Sequence, residues 1–183
     1  MAQKMKFITY IVSVLCVMFW LFAHIFLSEI WMPLAITFTT ISYHLWMRLI
    51  VGYLFDKFMG NHVDYTNAWF QVGKNENKIY HILKVKKWKN RMPSYDPDVF
   101  STEKHSWDEI AQAMCQAELV HETIALLSLF PILWTLWWRT FAVFFVTSVA
   151  AAFIDLLFVM MQRYNRPRVL KLAKRRTYQL PLE

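Results

Sequence analysis

The sequence predicts an all-α, polytopic membrane protein with about four transmembrane helices in two hairpins and a cytoplasmic amphipathic insert between them. Three observations point there. Apolar residues make up 57% of the 183 and aromatic residues 17%, with a mean hydropathy of +0.27. That is more apolar than a soluble domain of this length. Only three glycines punctuate the chain, too few for tight β-turns and suited to long helices. Four stretches, 7–27, 31–54, 119–138 and 141–161, are apolar over the roughly 20 residues a helix needs to cross a hydrocarbon core of about 30 Å.

The first stretch follows a basic start and resembles a signal peptide only superficially. Its apolar run is too long for a signal core and lacks a small-x-small cleavage site, so it is expected to be retained as a helix. The links "SEIWMP" (28–33) and "WWRT" (137–140) are short, so the helices pair as hairpins within a single membrane domain, 1–183. Residues 55–117 form the polar insert. Within it, "YHILKVKKWKNRMPSYDP" (80–97) mixes Ile82, Val85 and Trp88 with a lysine cluster, which predicts an interfacial helix or short strand with tryptophan at headgroup level. Trp69 and Phe70 would sit likewise. "PSYDPD" is turn chemistry, and "SWDE" (106–109) is a capping box that starts a helix before the third span. Cys16 and Cys115 both fall in apolar or helical stretches, which excludes a disulfide framework.

Charge sets the orientation. Two lysines precede the first helix, nine basic residues lie between Lys57 and Lys104, and seven lie between Arg163 and Arg176. Arg139 alone occupies a loop on the other side. The positive-inside rule therefore places both termini, the insert and the basic tail 162–183 in the cytoplasm. The net charge of +7 suits anionic membrane lipids or a phosphorylated substrate. Nucleic acid is excluded as a partner because the basic residues hug the membrane ends.

Ionisable residues inside the spans share one depth. His44, Arg48, Glu118, His121, Glu122 and Asp155 all belong to the inner leaflet on this orientation, whereas His24, Glu29 and Arg139 lie near outer helix ends. Charges in lipid are costly and face a cavity or a partner. One cavity open to the cytoplasmic interface is the expectation, with Asp155 paired to Arg48. Thr37, Thr40, His44 and Arg48 recur every three or four residues, a polar stripe on one face of the second span.

Glu118 and His121, three apart, share a face of the third span. A histidine is the natural general base near neutral pH, and a carboxylate one turn away can orient it. Two other readings of the pair remain open: an interfacial cap and anchor, or a metal site. The metal reading is short of ligands. Di-iron bundles need a second Glu-x-x-His, and position 125 is alanine where a metalloprotease helix would need histidine. "QRYNRPR" (162–168) follows the fourth span. Arg163, Arg166 and Arg168 could grip phosphate two-pronged, Tyr164 and Asn165 offer hydrogen bonds, and Pro167 would stiffen a turn. Topology alone also asks for basic residues there.

"AELVH" (117–121), "LSLFPIL" (127–133), "VMMQRYNRPRVLKL" (159–172) and "KVKKWKNRMP" (84–93) closely resemble the glycosyl-4,4′-diaponeurosporenoate acyltransferase family, small bacterial membrane proteins. The resemblance covers about 69–176. It implies that Glu118, His121, Gln162, Arg163, Asn165, Arg166 and Arg168 occupy the family's characteristic positions. The N-terminal third, with His44 and Arg48, departs from the family pattern.

Together these features lead us to expect a bacterial inner-membrane acyltransferase that moves a fatty acyl group onto a hydroxyl of a lipid-linked acceptor, glycosylated or not. His121 would be the base and Glu118 its orienting partner. Gln162, Arg163, Asn165, Arg166 and Arg168 would bind substrate, and His44, Arg48 and Asp155 would complete the cavity. The chemistry needs no metal or bound cofactor; acyl-CoA or acyl carrier protein would be the donor. The rivals are a non-enzymatic lipid- or partner-binding protein, and another small membrane enzyme such as a methyltransferase or reductase. The absence of a Gly-rich phosphate loop weakens the latter.

Overall fold

The structure is a computed structural model that describes residues 2–26, 30–138 and 141–179, with side chains through residue 175. Glu29, Arg139 and the tips of both hairpins lie outside the described residues. The described residues are mostly helical, with no strand among them. The helices are α1 (Ala2–Phe26), α2 (Trp31–Met59), α3 (Lys74–Ile82), α4 (Val85–Trp88), α5 (Trp107–Leu127), α6 (Thr135–Trp138) and α7 (Phe141–Gln179). Four helical stretches are long and apolar enough to cross a membrane: Ala2–Phe26, Trp31–Met59, Trp107–Trp138 and Phe141–Arg175. The chain is an all-α membrane protein.

α1 and α2 pair closely. Trp20 donates its indole N–H to Thr39 Oγ1 at 2.9 Å, Trp46 donates to Ser13 Oγ at 2.8 Å, and Phe22 meets Trp31 edge-on with ring centroids 5.1 Å apart. The outward face of α1 carries Phe7, Val14 and Ile25, all well exposed. In water such a face would be a liability; against lipid it is the expected surface. α2 runs past the expected end to Met59. It stops at Gly60, whose φ of +52° is the left-handed cap that costs a side chain strain, with its N–H on the Asp56 carbonyl at 2.9 Å.

The capping box starts α5 as the sequence predicts. Ser106 Oγ accepts from the Glu109 N–H at 3.3 Å, and the Ser106 N–H donates to Glu109 Oε2 at 2.7 Å. From there α5 is one uninterrupted helix through Glu118. It ends earlier than the predicted span. Pro131 lacks an N–H and collides with a preceding helical turn, so the chain passes through a 3₁₀ segment, Phe130–Trp134, before α6. The opposite correction applies to the tail. Pro167 sits inside α7 rather than in a turn, and the helix carries the "QRYNRPR" residues on its own surface.

Between α2 and α5 the insert is helical throughout its regular parts. Lys84, at φ +52°, turns α3 into α4. Tyr80 and Val85 pack with Tyr164 of α7, and Val63 and Phe70 pack with Cys115 of α5. A third small core joins Met47 and Val51 of α2 to Ile124 of α5. The insert is thereby seated on one end of the α5–α7 pair.

Candidate functional site

α5 and α7 run antiparallel, and the buried charges lie along their seam. Two clusters form rather than the single cavity expected.

The first joins three helices. His121 Nδ1 of α5 lies 3.0 Å from Asp155 Oδ1 of α7, and Asp155 Oδ2 accepts from the Arg48 guanidinium of α2. The expected Arg48–Asp155 pair is therefore made. The expected Glu118–His121 contact is not: Asp155 is the carboxylate that meets the imidazole. An ionised carboxylate only accepts, so against it Nδ1 is the donor and Nε2 points elsewhere. Among the described residues nothing hydrogen-bonds Nε2. The ring stacks on Phe158, centroids 4.5 Å apart and planes 7° apart, which fixes its tilt. His121 is 24% exposed and Asp155 2%, so the imidazole can be reached while its partner is sealed. Arg48 balances the Asp155 charge, the compensation that burial demands.

The second cluster lies nearer the insert. Glu118, fully buried, takes Arg163 on one oxygen and Arg166 on the other. Arg163 also grips Glu76 of α3 two-pronged, Nε to Oε1 at 2.5 Å and Nη2 to Oε2 at 3.0 Å, and donates to the Trp69 carbonyl at 2.8 Å. Arg166 donates to the Phe70 carbonyl and covers the Phe70 ring at 5.1 Å. Glu122 accepts from the Trp69 indole at 3.0 Å. Two of the three arginines expected to grip a phosphate, Arg163 and Arg166, are thus occupied by carboxylates and carbonyls. Burial alone would push the Glu76 carboxyl up; the hydrogen bonds from Arg163 and Tyr80 outweigh it and hold the group below its usual range.

The remaining predicted residues fall at the edges. Gln162 is buried on α7. Asn165 accepts from Lys89 Nζ at 2.6 Å. Burial, then Arg168 and Lys86, push the Lys89 ammonium down. Arg168 folds back onto the Tyr164 carbonyl and ring. His44 is buried on α2, one turn from Arg48, with neither ring nitrogen bonded. Sequence reasoning missed Glu76 and Phe158 altogether. Glu76 reads locally as the acidic first-turn residue of a short helix, and an apolar phenylalanine carries no signal beyond packing. Among the described residues, no three His, Cys, Asp or Glu side chains gather to hold a metal. A cleft of about 290 Å³, lined by Tyr65, Thr66, Gln71, Asp108, Leu170, Ala173 and Lys174, contains none of the predicted site residues.

A family profile described as glycosyl-4,4'-diaponeurosporenoate acyltransferase matches residues 63–175, more than half of the chain. The chain belongs to the glycosyl-4,4'-diaponeurosporenoate acyltransferase family. Its class is therefore acyltransferase. The family match spans the insert, α5 and α7 up to residue 175, so it contains Glu76, Glu118, His121, Asp155 and all three arginines. His44 and Arg48 of α2 lie outside the matched residues. No curated protein and no solved structure matches the chain.

Proposed function

We propose that this protein transfers a fatty acyl group to a hydroxyl of a lipid-linked acceptor at the cytoplasmic leaflet of a bacterial inner membrane. His121 acts as general base and Asp155 positions it. The observation carrying this is the Asp155–His121 contact with Nε2 left unbonded on a partly exposed ring. As the acceptor oxygen attacks the acyl carbonyl carbon, its proton passes to Nε2. The carbon–sulfur bond of a thioester donor then breaks, and the imidazolium returns the proton to the departing thiolate. Asp155 supports the imidazolium through Nδ1–H, and Phe158 holds the ring plane.

Arg163 and Arg166 serve as the hinge pins of the insert, tying Trp69, Phe70 and Glu76 to Glu118. A phosphorylated donor, acyl-CoA or acyl carrier protein, would instead meet exposed cations: Arg168, Lys86, Lys87, Lys171 and Lys174. The positive-inside distribution supports placing these on the cytoplasmic side. The acceptor is a neutral lipid alcohol, glycosylated as the family name describes. Mass spectrometry of lipids from cells with wild-type protein, with His121→Ala and with none tests the proposal. A new acylated lipid should appear with the wild type alone. An identical lipidome in all three refutes it and favours a lipid-binding role.

A further inference from the structure

Four buried side-chain polar atoms among the described residues have no hydrogen-bond partner: both ring nitrogens of His44, Ser128 Oγ and Ser148 Oγ. Their positions are not scattered. Ser128 is seven residues beyond His121, Ser148 seven before Asp155, and His44 four before Arg48. Seven residues make nearly two whole turns and four make just over one, so each lies on the same face as its charged counterpart. α5 runs opposite to α2 and α7, so all three displacements point away from the insert. Side-chain contacts fix the level: the Tyr43 hydroxyl, beside His44, donates to the Leu127 carbonyl, beside Ser128, at 2.9 Å. Above this level Trp134 packs edge-on against Phe144, centroids 5.9 Å apart, and Tyr43 against Trp134 at 5.3 Å, which closes it from the far side.

We propose that His44, Ser128 and Ser148 form a subsite for a neutral oxygen function, a hydroxyl or carbonyl, carried on the lipid body of the substrate. Its two serines lie two helical turns, about 10 Å, deeper than the reacting centre, and His44 closes its near side one turn, about 6 Å, from Arg48. A serine in a helix usually bonds the carbonyl one turn back; these two do not. Lipid offers no partner, and an unpaired buried hydroxyl or imidazole is costly there. Two hydroxyls and an imidazole both donate and accept, and the nearest charges, Arg48 and Asp155, already pair with each other, so a neutral oxygen suits the level better than a phosphate or carboxylate. An all-hydrocarbon chain passing here would leave every one of these groups unpaired. The subsite therefore favours a chain with one oxygen at this depth over a plain one, as unpaired polar groups reject an analogue that cannot bond them. It rests on the reading of His121 as the reacting centre.

The test compares two probes in nanodiscs: stearyl alcohol, and the same alcohol with a second hydroxyl eight carbons from the first. Affinity is read by competition against a fluorescent fatty alcohol. The wild type should bind the dihydroxy probe about tenfold more tightly, equivalent to about 1.4 kcal/mol. Ser128→Ala with Ser148→Ala should erase that preference, and Ser148→Ala alone should reduce it if the pair fails to fold. His121→Ala should keep it, since binding needs no proton transfer; this separates failure of the subsite from failure of the catalytic reading. Equal affinity in the wild type means that water alone fills the level and overturns the proposal. Persistence of the preference in the double alanine variant overturns it as well.

Discussion

Glu118→Gln isolates what the most buried carboxylate does. Glu118 is fully buried and its two oxygens hold Arg163 and Arg166; the Arg166 side chain is 2% exposed and that of Arg163 15%. With Glu76 the cluster holds two carboxylates against two guanidinium groups, a neutral set. Glutamine keeps the shape and removes the charge. Arg163 retains its two-pronged grip on Glu76, but Arg166 is left with only the Phe70 carbonyl and ring. Breaking a buried pair from one side costs about 3–5 kcal/mol, because the surviving charge is uncompensated. Glu76→Gln is the internal control. The Glu76 side chain is 24% exposed and Arg163 keeps Glu118, so its loss should approach the ~1 kcal/mol of exposed pairs. Glu118→Leu with Arg166→Met should recover most of the loss, since apolar side chains of similar volume replace buried ions at little net cost. Reversible denaturant unfolding in mixed micelles measures all of these. A Glu118→Gln variant within about 1 kcal/mol of wild type, or no worse than Glu76→Gln, would show that water reaches the cluster and that burial was misjudged.

His121→Ala should lower transfer by about 10²–10⁴-fold and leave unfolding little changed, because Asp155 keeps Arg48; parallel kinetics and denaturation check both. Asp155→Asn preserves shape but no longer holds the Nδ1–H tautomer, so kcat should fall by much of the same factor, whereas unchanged kcat would remove Asp155 from the mechanism. Glu76 has a folded value below its ordinary 4.5, so its contribution is complete above that pH and is lost as pH falls through the folded value. Limited proteolysis of the insert should therefore be flat from neutral pH down to about 4.5 and rise only below it. An impermeant thiol reagent added to intact cells should label a cysteine placed beside Arg139 and none placed near Lys87; labelling at Lys87 would reverse the orientation.

The spans and the α5 start were legible because each has a local signature: twenty apolar residues, or a serine followed three residues later by glutamate. Arg48–Asp155 was legible from depth alone, since two opposite charges at one level of a membrane must meet. The partners of Glu118 and His121 were not. Spacing of three put both on one face of α5, and the local inference was that they meet each other. That face is wide, and α7 offers each a better partner: two guanidinium groups for the carboxylate, and a carboxylate for the imidazole. Those partners are 34 to 48 residues away in sequence, and nothing local encodes such pairings. Pro167 misled in the same way. Its ring usually ends a helix, but α7 runs on to Gln179, with Arg163, Tyr164 and Arg166 just before the proline held against the insert.

The two clusters are coupled by geometry. Along α7, Asp155 and Arg166 are eleven residues apart, just over three turns, and so face the same seam. Opposite them on α5, His121 and Glu118 are one turn apart. Apolar contacts between helices tolerate sliding, because one leucine-sized neighbour is much like the next. A carboxylate that must meet two guanidinium groups does not. A slip of one turn, about 5.4 Å, would move Arg166 off Glu118 and at the same stroke carry Asp155 away from His121 Nδ1. The buried Glu118 cluster thus excludes registers in which the base loses its partner, the kind of specificity for which buried ions are best attested. Its contribution to transfer is then indirect. The apolar double variant, Glu118→Leu with Arg166→Met, is as stable as wild type on this argument yet less constrained in register. Its stability and its activity should therefore part company, whereas a purely catalytic Glu118 would leave register and His121–Asp155 geometry untouched.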